Sequence, residues 1–128
     1  MDLNKLKQLT QDAESNLPQR LKDELLQYCN PKRIAEMMLN ELEAEATKKA
    51  KEEERRASIN IDYNRIDGYA KATSKYSSYD IKVKMANILV DMVKSHISDK
   101  NIRLEYWDTF RMNHVENHFA GFGLEVNW

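Results

Sequence analysis

The stretch from Pro31 to Ala57 constrains this chain more than any other. Asn30 followed by Pro31 is a helix start: the Asn side chain can accept from the first free backbone amides, and proline at the first helical position loses no hydrogen bond. The first turns are amphipathic, with Ile34, Met38, Leu39 and Leu42 on one side. From Glu43 to Arg56 the only apolar residues are Ala44, Ala46 and Ala50. That distal half is held by helix propensity and by charges spaced i,i+4, namely Glu45 with Lys49, Lys48 with Glu52, Lys49 with Glu53 and Glu52 with Arg56. Each such pair adds a few tenths of a kcal/mol. A helix over 31–57 would reach about 40 Å, longer than a compact domain of this size needs. Two readings follow: a solvated helix, or an arm that packs against another chain through Leu42, Ala46, Ala50 and Ala57.

Length and composition set the frame for that helix. A chain of 128 residues fits one domain over 1–128, with a helical part (1–58) and an α+β part (59–128). It can bury a core without disulfides or metals. With 41% apolar and 32% charged residues it belongs with neither disordered chains nor membrane proteins. The amino terminus lacks a secretory apolar run, so a cytoplasmic location without membrane attachment is the expectation. Cys29 is the single cysteine, which excludes an internal disulfide and a cysteine-rich zinc site. Between Leu25, Leu26 and Tyr28 it reads as a buried, inert thiol. A net charge of -1 excludes a strongly basic nucleic-acid binder and an acidic nucleic-acid mimic, since both need a large field of one sign.

Ahead of the long helix, Leu3, Leu6 and Leu9 recur at three-residue spacing and Leu17, Leu21, Leu25 and Tyr28 at helical spacing. Asn16 and Pro18 punctuate between them, and two short helices are predicted. Beyond the long helix, Ile59, Ile61 and Tyr63 alternate with polar residues as a half-buried strand does. Asp67-Gly68 is a hairpin dipeptide, and 69–76 is expected to return as a second strand. Ser77 or Ser78 with Asp80 opens a helix whose apolar face carries Ile81, Met85, Ile88, Leu89, Met92, Val93 and Ile97. Ile102, Leu104 and Tyr106 alternate as a strand. Asp108 or Thr109 can cap a further helix that Gly121 would end, and Leu124, Val126 and Trp128 read as a final strand. The expected fold is α+β: N-terminal helices including one long charged helix (about 31–57), then a small, mainly antiparallel sheet with two packed helices.

Candidate sites are few. His114 and His118 are four apart, as metal ligands on a helix can be, and His96, Glu105 or Asp108 could complete a sphere. The intervening glutamate, Glu116, stands at the wrong offset for either zinc-protease motif, so surface or capping histidines are the plainer reading, and neither a metal nor a cofactor is expected. Arg55-Arg56-Ala57-Ser58-Ile59 resembles the basophilic site of cyclic-nucleotide-dependent kinases over five residues, against a plain structural role for Ser58 at a helix end. Tyr63, Arg65, Tyr69, Lys71, Lys75 and Tyr76 interleave aromatics with cations, the pairing a single-stranded nucleic-acid surface requires. Strand tyrosines are as often core or cross-strand pairs.

With only three glycines there is no phosphate-cradling loop and no nucleophile elbow, so an enzyme is not expected. The leading expectation is a non-enzymatic interaction module that self-associates as a homo-oligomer, a dimer in the first instance, or grips a larger protein partner. Its contacts would be the long helix and aromatic-rich surfaces. The alternative is a single-stranded nucleic-acid-binding protein using 63–84. Thirteen Lys, eleven Asn and eight Ile against three Gly and two Pro is the usage of an AT-rich genome. That usage fits a phage-type accessory protein that inhibits or redirects a host protein.

Overall fold

The fold is α+β, with long N-terminal helices followed by a small three-stranded antiparallel sheet and further helices. The computed structural model describes residues 1–108 and 120–128. In chain order the elements are α1 (Leu3–Tyr28), α2 (Pro31–Lys51), β1 (Arg56–Asp62), α3 (Tyr69–Thr73), α4 (Tyr79–Lys94), β2 (Ile102–Asp108) and β3 (Ala120–Asn127), with one 3-10 turn at Tyr63–Arg65.

Caps form where the sequence offers them. Asp2 accepts from the Lys5 amide at 3.1 Å and Asn30 from the Arg33 amide at 3.2 Å, while Ser78 accepts from the Ile81 amide at 3.4 Å. α1 is one helix rather than the two expected, running through Pro18. An interior proline costs about 3 kcal/mol. Leu21 and Leu25, each fully buried, anchor the helix immediately beyond it, and that burial offsets the penalty.

α2 stops at Lys51, not near Ala57. The amides of Glu53 and Glu54 donate back to the carbonyls of Ala50 and Lys49, closing a Schellman turn with Glu53 left-handed at φ 63. Three consecutive acids at the negative end of a helix dipole oppose further helix. The chain then enters β1, where Ala57 is 2% exposed. Of the charge pairs expected along a longer helix, Lys49 instead meets Glu52 and Glu54, each at 3.8 Å, and Arg56 pairs with Glu125 across the sheet at 3.0 Å.

The sheet order is β1-β3-β2. Its register lines up three apolar rows on one face: Ile61, Phe122 and Tyr106; Ile59, Leu124 and Leu104; Ala57, Val126 and Ile102. The opposite face carries Ser58, Glu125 and Arg103, as a sheet with one buried face requires. α2 and α4 contact the sheet, and α1 lies against α3 and α4. The core joins Leu21, Leu25, Met38, Met85, Leu89 and Phe122 among others.

Residues 69–76 do not return as a strand. Asp67-Gly68 does turn, but Gly68 adopts φ 83 and leads into α3, which buries Tyr69, Ala72 and Thr73 at helical spacing. A Cβ on Gly68 would stand 1.9 Å from the Tyr28 carbonyl oxygen, so the turn seats directly on the end of α1. Gly121 lies within β3 rather than at a helix end, because the backbone of Ile61 approaches it too closely for a side chain: a Cβ there would be 2.4 Å from the Ile61 oxygen. The helix expected after Asp108, with Thr109, His114 and His118, lies outside the described residues, and Asp108 itself ends β2. Among the described residues no helix is long and apolar enough to cross a membrane.

Candidate interaction surface

The element that stands clear of the body is the first half of α1, not the second half of α2. Every residue from Met1 to Asn16 is exposed, and Leu3, Leu6 and Leu9 are 67%, 47% and 55% exposed. At about 100° per residue, Leu3, Leu6, Leu9, Ala13 and Leu17 share one face about 120° wide. The same face continues into Leu21 and Leu25, where α3 and α4 cover it. One apolar stripe is therefore buried along half its length and bare along the other half. Where the two halves meet, Leu17, Leu21, Val83 and Ile88 line a mainly apolar groove at the root of the arm, which Glu14 and Lys84 also border.

The stripe expected to meet a partner on the long helix is used differently. Leu42 and Ala57, each 2% exposed, belong to the chain's own core, Ala46 packs half-buried against it, and only Ala50 is exposed. The sheet, through β1 and β3, is what lies against that part of α2.

The Tyr/Lys segment is likewise divided. Tyr69 is buried and meets Phe122 edge-on with ring centres 5.8 Å apart, and Tyr76 is half-buried against the core. Arg65 is bonded to Glu41, Lys75 to Glu24 at 2.8 Å, and Lys71 sits 5.3 Å over the Tyr28 ring. The bond from Glu24 favours the charged form of Lys75 and raises its pKa. Tyr63 alone of these aromatics is exposed. The six residues thus form no common exposed face: two are interior, the three cations are engaged within the chain, and the exposed Tyr63 meets the buried Tyr69 edge-on with ring centres 6.3 Å apart.

A polar cluster that the sequence did not signal sits at the end of β2. Asp108, 9% exposed, accepts from the hydroxyls of Tyr79 at 2.9 Å and Tyr106 at 3.0 Å. Burial, and then the bond to Asp108, push the Tyr106 hydroxyl well above its ordinary range. Tyr63, Tyr69 and Lys82 line the same small cavity. Two hydroxyls donating to one carboxyl group make a positioning arrangement, fixing β2 to the start of α4. The prior signals were Asp108 as a helix cap and as a residue that could complete a metal sphere, not as an acceptor for tyrosines.

Among the described residues no three His, Cys, Asp or Glu side chains group as a metal site would require, so His96, Glu105 and Asp108 form no such group with one another. Ser58 is exposed on β1, an edge strand. Compared with known protein families, curated proteins and solved structures, the chain finds no match in any of the three.

Proposed function

We propose that this chain is a non-enzymatic interaction module whose contact element is the projecting half of α1. A single observation carries this: Leu3, Leu6 and Leu9 form the uncovered continuation of a stripe that packs the core from Leu17 onward. Three large side chains on one helical face expose more contiguous apolar surface than isolated surface leucines do, and such patches mark contact sites. The partner is a second copy or a larger protein that offers an apolar groove to a helix. The residue usage of an AT-rich genome supports a host protein as the larger partner of a phage-type accessory protein.

The reading is tested by immobilising the chain and its Leu6→Glu/Leu9→Glu variant and exposing both to lysate of the source cells, with and without nuclease. Capture that withstands nuclease and is lost with the variant supports it. Capture that the variant retains overturns it, and capture lost on nuclease treatment favours a single-stranded nucleic acid as the ligand.

A further inference from the structure

We propose that the exposed half of α1 pairs antiparallel with the same segment of a second copy, Lys5 and Lys7 of each copy meeting Asp12 and Glu14 of the other. This rests on the interaction reading above and names the partner.

The argument starts from the charges that border the apolar face. On a helix, residues seven apart lie two turns apart on nearly the same side. Lys5 and Asp12 flank the leucine face on one side, and Lys7 and Glu14 flank it on the other. Each flank thus carries a base toward the amino end and an acid seven residues later. When two copies of a helix pack antiparallel, each flank meets the same flank of its neighbour running backwards. Lys5 then reaches Asp12 of the partner subunit and Lys7 reaches Glu14 of the partner subunit. By two-fold symmetry both pairs occur twice. When two copies pack parallel and in register, opposite flanks meet, so Lys5 faces the partner's Lys7 and Asp12 faces the partner's Glu14. Like charges oppose that arrangement and unlike charges support the first. The two charged flanks are complementary to those of a second copy in one direction only.

The same pairs fix the register. They are best met when the two-fold axis passes near Leu9 and Thr10, which brings Leu6 level with Ala13 of the partner subunit, large against small. The partner's Leu3 then falls level with Asn16 and Leu17, where the arm joins the body. There the groove between Leu17, Leu21, Val83 and Ile88 offers it an apolar seat, so the contact extends beyond the two arms. Asp12 accepts from Gln8 at 3.0 Å within its own helix. That bond occupies one carboxylate oxygen and leaves the other for a lysine. Two arms of this length make a contact near the lower limit of about 1,000 Å² for a specific interface, so the pairing is reversible and concentration-dependent.

Sedimentation equilibrium from micromolar to near-millimolar chain tests this. The wild-type chain is expected to pass from monomer to dimer. Lys5→Glu/Lys7→Glu, which makes both flanks wholly acidic, is expected to weaken dimerisation by more than about tenfold. Adding Asp12→Lys/Glu14→Lys to that variant restores it. Leu6→Glu/Leu9→Glu abolishes it, with unchanged circular dichroism showing that the fold is intact. A wild-type chain that stays monomeric overturns the pairing, and a fourfold variant that fails to recover overturns the charge register. A Leu3→Cys chain that oxidises to a Leu3-position disulfide dimer overturns the antiparallel direction, since those positions lie about 20 Å apart in it. If the chain is monomeric and Leu6→Glu/Leu9→Glu still loses a captured partner, the interaction reading stands and only the second copy is excluded.

Discussion

Glu53 occupies the left-handed position that ends α2, a conformation that costs a residue with a Cβ about 1 kcal/mol and glycine almost nothing. Glu53→Gly should therefore stabilise the protein by about 0.5–1 kcal/mol, read as a higher midpoint in urea. Gly68 is the opposite case. Its positive φ and its seat on the Tyr28 carbonyl leave no room for a methyl group, and Gly68→Ala should cost more than about 2 kcal/mol or prevent folding. Cys29 lies beside the Gly68 turn, and burial, with Asp67 adding to it, pushes its thiol from 9.0 up to about 11. Above pH ~9 the unfolded chain releases that proton while the folded chain keeps it, so unfolding gains as pH rises. Stability should fall from pH 9 to about 11 through this group. The raised hydroxyls of Tyr69 and Tyr106 extend the fall to higher pH. Cys29→Ala should flatten the first part of the curve, and the native thiol should resist Ellman's reagent at pH ~8 until denaturant is added.

At the scale of elements, α1 divides into two halves that the same leucine spacing cannot tell apart. Leu21 is fully buried and Leu9 is 55% exposed. Leu21→Ala should cost about 2–5 kcal/mol, whereas Leu9→Ala should change stability by no more than about 0.5 kcal/mol, both measured by urea denaturation. α4 was legible because one segment unites a cap at Ser78 with an apolar face; the periodicity selects Met85, Leu89 and Val93 among its buried residues but misses Ala86 and Val90, and Ile81, Ile88 and Met92 are only half-buried. α3 was not legible, because five residues with Lys71 and Thr73 among them show no period of their own. Its helix exists because Tyr69 and Ala72 have somewhere to go. The early end of α2 was half-legible: the acids Glu52, Glu53 and Glu54 oppose the helix dipole, yet local propensity still favours continuing.

Across the whole molecule, the sheet rows Ile61–Phe122–Tyr106 and Ile59–Leu124–Leu104 close against α2 and α4, while the arm of α1 contributes nothing to that core. Amide exchange of the isolated monomer should accordingly be slowest in α4 and β3 and fastest from Lys5 to Asn16, and slowing of the arm amides as protein concentration rises would report their pairing. The sequence by itself determined the α+β class, the start of α2, much of the core face of α4, and the alternation of β1 (as far as Ile61, Tyr63 lying in the 3-10 turn beyond it), β2 and the final strand, because caps and hydrophobic periods are local properties. Only the tertiary structure decided which stripe is covered. Leu42 and Ala46 pack into the core and Ala57 is buried within β1, while Leu3, Leu6 and Leu9, also at helical spacing, stay exposed. Coverage depends on what lies opposite a face, and no window of sequence contains that.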